Sequence, residues 1–361
     1  MSMKALLMTR YGRMGASSRL RFMQFIPWLE NAGVSCNTQP FFNDSMLAAR
    51  YQAGQYKRTS LLESYRHRVG QMMRRRDYDL VWIEKEALPW FPAAVERAFL
   101  RHVPYALDFD DALFHNYDLH GSVLVRKMLG RRIDRLMAGA TLVTAGNAYL
   151  AQRATDAGAK WVEIIPTVID LDRYIPRQAR PVLQTGVERE VLRIVWIGSP
   201  STATYLALLA EPLKALATRF QFELRVIGAN FTLDGVNVEC VPWQESTEVD
   251  RIAECDIGIM PLNDSPWERG KCGYKLIQYM ACGLPVVASP VGANNQIVKD
   301  QESGFLAATP RDWEIRLGQL LADASLRRAM GHSGRDQVES KYCVQQLAPR
   351  LATLLKRAGA Q

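Results

Sequence analysis

The stretch that most constrains the fold is residues 266–292, PWERGKCGYKLIQYMACGLPVVASPVG. Its glycines and apolar spacing predict a loop, a short helix from Tyr274 to Cys282, a tight turn and a buried strand. A helix N-terminus presents unpaired N–H groups and partial positive charge, which favours anions. Lys271 and Lys275 lie beside that N-terminus and make a diphosphate the natural occupant. This order is typical of an α/β domain that holds a nucleotide at the carboxyl ends of its strands.

The segment KLIQYMACGLPVV, which begins at Lys275, resembles the donor-site signature of GT-B-fold glycosyltransferases, above all the GT4-like (glycosyl transferases group 1) retaining group. In that group the helix usually carries a Glu that holds the donor ribose hydroxyls, and Gln278 stands at this position here. A second family Glu, eight residues earlier, would fall at Gly270. The resemblance implies a nucleotide-diphosphate sugar as co-substrate, retention of configuration by front-face attack, and no metal or other cofactor.

The length of 361 residues suggests two domains, each with its own core. No apolar run reaches the roughly 18 residues that span a bilayer, and the N-terminus shows no apolar signal-peptide region. We therefore expect a cytoplasmic protein. The six cysteines follow neither C-x-x-C nor zinc-like spacing, so most of them should be reduced and act as small apolar fillers.

The formal net charge is +8, and much of the excess lies in residues 57–76, KRTSLLESYRHRVGQMMRRR. Apolar residues recur there at helical spacing on one side. Two interpretations stay open: a basic amphipathic helix on a membrane surface, or a core-packed helix with a solvated basic back. The resemblance favours the membrane, because GT-B enzymes with lipid-linked acceptors often dock through such patches. No aromatic–basic interleaving appears, so we expect no nucleic-acid partner.

Apolar runs alternate with amphipathic segments, which predicts parallel sheets with helices on both faces. The predicted fold class is α/β, in the GT-B arrangement of two Rossmann-like domains facing across a cleft. The N-terminal acceptor domain would span residues 1–175, and the polar residues 176–190 predict a linker. The donor domain would span residues 191–344, and the last helix, 345–361, would cross back to domain one as in GT-B proteins.

The same patterns predict individual elements. Strands are expected at Tyr105–Phe109 and Leu192–Gly198, each followed by polar or small residues. Helices are expected at Ser18–Glu30, Val123–Met137 and Thr202–Thr218.

On the donor side, Gly198 and Ser199 end the first strand of the second half. A glycine there lets backbone N–H groups approach a phosphate, and the alternative is a tight turn with a helix N-cap. The loop GSPSTATY holds no Lys or Arg, so phosphate charge would be neutralised by Lys271, Lys275 and Arg269. The remaining donor-binding candidates, given by the motif match, are Gly270, Gly273, Tyr274, Gln278 and Gly292.

On the acceptor side, residues 14–19 follow the first strand and resemble the acceptor loop of GT-B enzymes. The candidates there are Gly15, Ser17 and Arg19. The alternative is a capped amphipathic helix with exposed arginines. His115 is a further candidate, although a lone histidine is more often structural.

The sequence Asp108-Phe109-Asp110-Asp111 ends a strand where many GT4-like enzymes carry a histidine. Three carboxylates so close would repel, so at least one should have a raised pKa or a basic partner. Asp110 or Asp111 would bind an acceptor hydroxyl, act as base if the enzyme inverts, or cap the next helix. The spacing is also that of metal-binding carboxylates, but the family resemblance implies no metal.

The leading hypothesis is a hexosyltransferase-type glycosyltransferase that moves a sugar to a glycan, lipid-linked or other glycoconjugate acceptor. Lys275 and Lys271 would stabilise the departing diphosphate. By analogy, it would act in polysaccharide biosynthesis as a peripheral protein on the inner membrane face. Two alternatives stay open. The carboxylate cluster supports a UDP-sugar 2-epimerase-like enzyme on the same fold, and the residues at 270 and 278 support a catalytically silent GT-B subunit.

Overall fold

The computed structural model describes residues 2–175 and 191–361, which form two compact units. Unit 1 comprises Met1–Thr167, Arg269–Cys272 and Val344–Gln361, and unit 2 comprises Val168–Glu268 and Gly273–Cys343. The linker predicted at residues 176–190 lies outside the described residues. Within the two described ranges, no helix has both the length and the apolar character needed to cross a bilayer.

Unit 1 is built on a parallel six-stranded sheet, and both faces of its central strands are buried. Such strands are near-continuous apolar runs because helices cover the two faces. The strands are β1 (Met3–Tyr11), β2 (Val34–Phe42), β3 (Leu80–Glu84), β4 (Tyr105–Phe109), β5 (Leu142–Ala145) and β6 (Val162–Ile164). The helices are α1 (Ala16–Arg21), α2 (Ile26–Asn31), α3 (Asp44–Ala53), α4 (Arg58–Met73), α5 (Ala93–Leu100), α6 (His115–Asp118), α7 (Val123–Leu129), α8 (Arg132–Gly139) and α9 (Ala148–Asp156).

Unit 2 repeats this plan with a second parallel six-stranded sheet. Its strands are β7 (Leu192–Ile197), β8 (Phe222–Ile227), β9 (Asn237–Val241), β10 (Ile257–Met260), β11 (Val286–Ala288) and β12 (Gly304–Leu306). Its helices are α10 (Ala210–Ala217), α11 (Glu248–Ala253), α12 (Pro266–Arg269, whose last residue belongs to unit 1), α13 (Tyr274–Ala281), α14 (Asn294–Ile297), α15 (Pro310–Ala322) and α16 (Ala324–Lys341). The last helix, α17 (Val344–Gly359), belongs to unit 1, where Arg350 pairs with Glu163 at 2.6 Å.

The strand order places a ligand-binding position in each sheet. Unit 1 has the order β2-β1-β3-β4-β5-β6, and unit 2 has the order β12-β11-β10-β7-β8-β9. The order therefore reverses between β1 and β3 in unit 1 and between β7 and β10 in unit 2. In open parallel sheets, ligands bind beyond the carboxyl ends of the strands at such a reversal.

Three helices predicted from the sequence have different bounds. The single helix predicted over Val123–Met137 is wrong: α7 and α8 are separate, and Gly130 lies between them. A Cβ on Gly130 would lie 2.3 Å from the Arg126 carbonyl oxygen, so this turn requires a residue without a side chain. The helix predicted over Ser18–Glu30 is also divided, by a 3-10 turn. The segment predicted as Thr202–Thr218 begins as a 3-10 helix at Pro200–Leu209.

The basic segment 57–76 forms α4 and a 3-10 turn after it. Met72 lies in the core of unit 1, and Tyr65 and Val69 pack against that core. Arg68 faces the same way and donates to the Thr9 carbonyl oxygen at 2.6 Å, and burial lowers its pKa to about 10. The apolar side of α4 therefore packs in the core of unit 1, which agrees with the interpretation as a core-packed helix with a solvated basic back. A membrane role for this segment stays a prediction.

Candidate functional site

In unit 2, the side chain of Lys275 on α13 reaches the carboxyl end of β7. Its ammonium nitrogen is 4.2 Å from the ring centroid of the fully buried Trp196. A Cβ on Gly198 would lie 2.8 Å from the same nitrogen. The indole face thus attracts the ammonium, and the glycine leaves the space that it occupies. These contacts hold a positive charge at the reversal point of the sheet.

Helix α13 begins at Tyr274, one residue before Lys275. Gly273 is the N-cap residue and has a φ of 64°, in the left-handed region. A Cβ there would lie 2.3 Å from Ile297 Cδ1, so both the backbone and the packing require glycine. Gly273 has no side chain that could cap the helix, and the N-terminus of a helix carries a partial positive charge that favours an anion.

Gln278 faces inward from α13. Its side chain is buried, and Nε2 donates to the Tyr174 hydroxyl at 2.8 Å. Burial raises the pKa of Tyr174 well above its usual value, so the phenol stays neutral. Its hydroxyl also lies 3.5 Å from the Tyr274 hydroxyl. A glutamine suits this place because its amide can donate to a neutral phenol, which a carboxylate cannot do.

In unit 1, β3 ends at Glu84, the first of three consecutive charged residues, Glu84, Lys85 and Glu86, each at most 5% exposed. The Lys85 ammonium lies 2.7 Å from Asp110 Oδ1 and 3.5 Å from Asp111 Oδ2. Because β3 pairs with both β1 and β4, the ends of these strands meet, and residues far apart in sequence come together. Lys85 is not among the residues predicted from the sequence. Its signal is the charged run EKE directly after the apolar strand LVWI.

Two further observations define this cluster. Ser17 Oγ donates to Asp110 Oδ2 at 2.6 Å, which joins two residues that the sequence predicted separately. Lys85 has a φ of 64°, which is rare for a residue with a side chain and costs about 1 kcal/mol or more. The Lys85 N–H donates to the Asp108 carbonyl oxygen at 2.9 Å, and this hydrogen bond helps to hold the conformation.

The three carboxylates of residues 108–111 have different electrostatic surroundings. Both oxygens of Asp108 accept from Arg21, at 2.8 and 2.6 Å, and both side chains are buried. Burial would raise the pKa of Asp110, but the Lys85 ammonium and hydrogen bonds from Lys85 and Ser17 outweigh burial and lower it. Burial raises the pKa of Asp111; the Lys85 ammonium opposes this, and the Asp110 charge adds to it. The expectation of a raised pKa or a basic partner is confirmed.

The loop Arg269–Cys272 packs within unit 1. Asn147 Nδ2 donates to the carbonyl oxygens of Gly270 and Lys271 at 3.0 and 2.9 Å, and the Cys272 thiol donates to the Asp110 carbonyl oxygen at 3.0 Å. A Cβ on Gly270 would lie 2.5 Å from the Ala112 Cβ. No glutamate therefore fits at position 270 unless the loop moves.

Residues 192–323 match the family model described as Glycosyl transferases group 1. The match covers β7 and the Gly198 that follows it, the loop with Lys271 and the helix with Lys275. It confirms the resemblance stated from the segment KLIQYMACGLPVV.

Relatives of known identity agree with this assignment. D-inositol 3-phosphate glycosyltransferase from Segniliparus rotundus is 25% identical over 231 residues, which cover 56% of this chain and 50% of that protein. The chain thus spans half the length of this curated relative.

Solved structures show the fold. Sucrose-phosphate synthase from Thermosynechococcus elongatus superposes with a TM-score of 0.72 at 16% identity, over 99% of both chains. Anabaena HepE, solved in complex with UDP and glucose, superposes with a TM-score of 0.69 at 17% identity, over 98% of this chain and all of that one. The predicted α/β class with two Rossmann-like sheets of GT-B type is confirmed.

The other acceptor-side candidates have defined partners within unit 1. Gly15 is the N-cap of α1, where a Cβ would lie 2.2 Å from the Tyr11 Cβ. Arg19 is buried and donates to the Arg13 carbonyl oxygen at 3.0 Å, so the interpretation as an exposed arginine is wrong. Both ring nitrogens of His115 are engaged within unit 1, by Asp118 at 2.8 Å and Tyr149 at 2.9 Å.

The remaining donor-side candidates lie at the surface or at turns. Ser199 is exposed, and its hydroxyl lies 2.9 Å from the Ser201 hydroxyl. Arg269 is exposed at the end of α12. Gly292 follows β11 in the left-handed region, with a φ of 54°. Their roles in donor binding stay predictions.

The Asp-x-Asp-Asp spacing also raised the alternative of a metal site at Asp108, Asp110 and Asp111. Among the residues that the structure describes, no group of three or more His, Cys, Asp or Glu side chains is placed to hold a metal ion. Asp108 instead faces Arg21, and Asp110 faces Lys85.

A Gly198→Ala substitution should weaken nucleotide binding by about 10–100-fold, because the new methyl group occupies the place of the Lys275 ammonium. Titration calorimetry with a nucleoside diphosphate measures the change. Gly70→Ala is the matched control, since a Cβ at Gly70 meets nothing within 4 Å. Equal affinities of Gly198→Ala and the parent would show that this turn does not position the lysine for the ligand.

Proposed function

We propose that the chain transfers a sugar from a nucleotide-diphosphate sugar to a hydroxyl group of a glycan, lipid-linked or other glycoconjugate acceptor. The observation that carries this proposal is the Lys275 ammonium, held 4.2 Å from the Trp196 ring next to Gly198 and the N-terminus of α13. A fixed positive charge beside the partial positive charge of a helix N-terminus stabilises a departing diphosphate. The family match over residues 192–323 supports the same activity.

The donor that we propose to test first is a UDP-sugar, because the similar fold of HepE was solved with UDP and glucose. Lys275 in unit 2 would neutralise the diphosphate, and the roles of Lys271 and Arg269, which belong to unit 1, stay predictions. Gln278 Nε2 already donates to Tyr174, so its amide oxygen is the atom that would accept from a ribose hydroxyl.

The proposed reaction needs no protein nucleophile and no metal. The acceptor hydroxyl oxygen bonds to the anomeric carbon on the face from which the diphosphate leaves, and a diphosphate oxygen takes the hydroxyl proton. The products are a glycoside of retained configuration and a nucleoside diphosphate. Proton NMR of the first-formed product tests retention, and turnover in the presence of a chelator tests metal independence. If the enzyme inverts, Asp110 or Asp111 would act as the base.

The acid limb of the pH–rate profile should belong to Asp111, whose partly exposed carboxylate would accept a hydrogen bond from the acceptor hydroxyl. The ionised form is the stronger acceptor, and burial raises the pKa of Asp111 above 3.8, so kcat/KM falls as the pH drops through that raised pKa. Lys85→Met removes the ammonium that lowers this pKa, so the limb should move to higher pH.

Profiles of kcat/KM against pH for the parent, Lys85→Met and Asp111→Asn test this assignment. Asp111→Asn should lose the limb together with part of the activity. If the limb keeps its position in Lys85→Met and persists in Asp111→Asn, another group is responsible.

A thermal-shift screen against UDP, GDP, dTDP, ADP and CMP and their sugar conjugates tests donor binding directly. A ligand at 100 times its Kd stabilises a protein by about 2.7 kcal/mol, which is readily measured as a rise in Tm. We expect one nucleotide class to stabilise the parent.

A catalytically silent GT-B subunit is the second candidate. Two observations favour it: Gly270 has no room for the family glutamate against Ala112, and the Gln278 amide is engaged by Tyr174. A screen in which no nucleotide raises the Tm would put this candidate first.

For the setting, we propose a cytoplasmic protein that works peripherally on the inner membrane face in polysaccharide biosynthesis. A lipid-linked acceptor would bring the enzyme to that surface. Cell fractionation with immunoblotting tests the location, and a protein found wholly outside the membrane fraction would contradict it.

A further inference from the structure

The loop between β3 and α5, which we call the β3–α5 loop, presents two aromatic side chains to the solvent. Trp90 is 51% exposed, and the next residue, Phe91, is 42% exposed. Folded proteins seldom leave large aromatic rings together in water unless the surface binds something. The loop follows the carboxyl end of β3, so it begins on the edge of the unit 1 sheet where Lys85 meets Asp110.

Trp90 has a strained backbone conformation. Its φ is 65°, in the left-handed region, which a bulky residue rarely adopts because its Cβ crowds the carbonyl oxygen. Its N–H donates to the Tyr117 hydroxyl at 3.2 Å, which helps to hold this conformation. Strain of this kind persists only where surrounding contacts impose it, and it is concentrated at functional sites. The fold therefore keeps a large ring half in water against the preference of its own backbone.

Side chains from four helices fix the backbone of residues 87–90. Each makes a hydrogen bond to this backbone: Tyr65 on α4, Glu96 on α5, Tyr117 on α6 and Arg132 on α8. Glu96 accepts from the N–H groups of Ala87 and Leu88 at 2.7 and 3.1 Å. Arg132 neutralises this buried carboxylate at a distance of 2.7 Å. The loop is thus held in place before a ligand binds, which lowers the entropy cost of binding.

The β3–α5 loop also connects Trp90 to the proposed acceptor site. The Tyr117 hydroxyl, which accepts from the Trp90 N–H, donates to Glu86 at 2.7 Å. Glu86 follows Lys85 directly, and the Lys85 ammonium lies 3.5 Å from the carboxylate of Asp111. Lys85 and Trp90 are five residues apart in sequence, so their Cα atoms lie at most about 18 Å apart. A chain of a few sugar residues spans such a distance.

The indole of Trp90 has the chemistry to bind a sugar ring. Two neighbouring rings, those of Tyr117 and His120, meet the indole at steep angles of 68° and 82°, so neither is stacked on it. The face of an aromatic ring carries partial negative charge, which attracts the polarised C–H groups on one side of a pyranose. The sugar hydroxyls around that contact can stay in water, because half of the Trp90 surface is exposed.

We propose that Trp90 and Phe91 bind a sugar residue of the acceptor beyond the one that reacts, so that the acceptor is an oligosaccharide or a longer glycan. This inference rests on the proposed transferase function and names the acceptor class for the same site. A glycan is the occupant that the position favours, because an acceptor whose end reaches Asp111 extends over the edge of the sheet where the β3–α5 loop begins.

The first test is binding of the full chain to an array of immobilised mono- and oligosaccharides. The parent should bind at least one oligosaccharide clearly better than the terminal monosaccharide of that oligosaccharide. Trp90→Gly removes the indole and suits the left-handed backbone, so the variant should keep the Tm of the parent. Its affinity for the same oligosaccharide should fall by about tenfold.

The second test is transfer, with the donor found in the thermal-shift screen. With the oligosaccharide as acceptor, Trp90→Gly should raise the acceptor KM by about tenfold and leave kcat within about twofold, because the ring binds the ground state and the transition state equally. With the methyl glycoside of the terminal monosaccharide as acceptor, the parent and the variant should have the same kcat/KM.

Trp28→Ala is the matched control for both tests. Trp28 is another exposed tryptophan of unit 1, at 37%, and it lies on α2 and not on the β3–α5 loop. This variant should bind the array and use both acceptors as the parent does.

Three results would overturn the inference. The parent could bind no oligosaccharide better than a monosaccharide, or Trp90→Gly could lower kcat/KM equally for both acceptors, which would mean that the loop only shapes the reacting site. The third is self-association of the parent, detected by ultracentrifugation and removed by Trp90→Gly, which would assign the two rings to a second copy. Glycan binding that depends on Trp90 without sugar transfer would support the inference and contradict the proposed transferase function alone.

Discussion

Lys275→Ala is expected to lower kcat/KM by about 10²–10³-fold, because it removes a positioned cation from the leaving diphosphate. The effect should fall mainly on kcat, since negative charge on the leaving group grows in the transition state. The ammonium lies over the Trp196 ring at 4.2 Å, so its position is defined before the donor binds. Because the charge is already in position, its electrostatic stabilisation of the transition state is large.

The control variants for this prediction separate charge from packing. Lys275→Met keeps most of the side-chain stem against Trp196 but loses the charge, and should be as inactive as Lys275→Ala. Lys299→Ala removes a surface lysine of unit 2 that pairs with Glu302 at 3.0 Å, and should retain full activity. Steady-state kinetics with the donor found in the thermal-shift screen measures all three. Near-parental kcat/KM in Lys275→Met would exclude an electrostatic role for this residue.

Arg21→Met should destabilise unit 1 by about 3–5 kcal/mol, because it leaves the Asp108 carboxylate buried without its cation. Arg21 donates to both Asp108 oxygens, at 2.8 and 2.6 Å, and to the Ile165 carbonyl oxygen at 2.6 Å. Thr144 Oγ1 also donates to Asp108 at 2.6 Å. One arginine thus connects the first helix to β4 and to the chain beyond β6.

Urea unfolding followed by circular dichroism measures this change, with the two units treated as separate transitions where they are resolved. Arg21→Met/Asp108→Asn should recover much of the lost stability, because the remaining partner is neutral. Arg219→Met is the matched surface control: its bridge to Glu314 spans 3.1 Å between half-exposed side chains and should contribute about 0–1 kcal/mol. Equal losses from Arg21→Met and Arg219→Met would refute the buried-charge interpretation.

The two sites differ in how far the sequence anticipated them. In unit 2 the helix with Lys275 and the strand after it occupy almost the predicted residues, Tyr274–Ala281 and Val286–Ala288. Both are specified by residues close in sequence: the glycines on either side and the apolar period between them. In unit 1, Ser17 and Asp110 were identified separately, and Lys85 was not identified at all.

The reason is strand order. Lys85 meets Asp110 because β3 pairs with β4, and it meets Ser17 because β3 also pairs with β1. A single sequence contains the alternation that predicts a parallel sheet but not the order of its strands. Residues more than 60 positions apart therefore come together for a reason that no local pattern contains.

Local sequence by itself determined the α/β class, the strand β4 at Tyr105–Phe109, and the loop and helix around Lys275, because hydrophobic period and glycine placement act over a few residues. Tertiary structure alone decided what surrounds them. It excludes a side chain at Gly270 through Ala112, turns Gln278 toward Tyr174, and leaves the outer side of α7 in water while the apolar side of α4 packs in the core. Each of these depends on contacts between distant segments, and such contacts exist only once the sheets have formed.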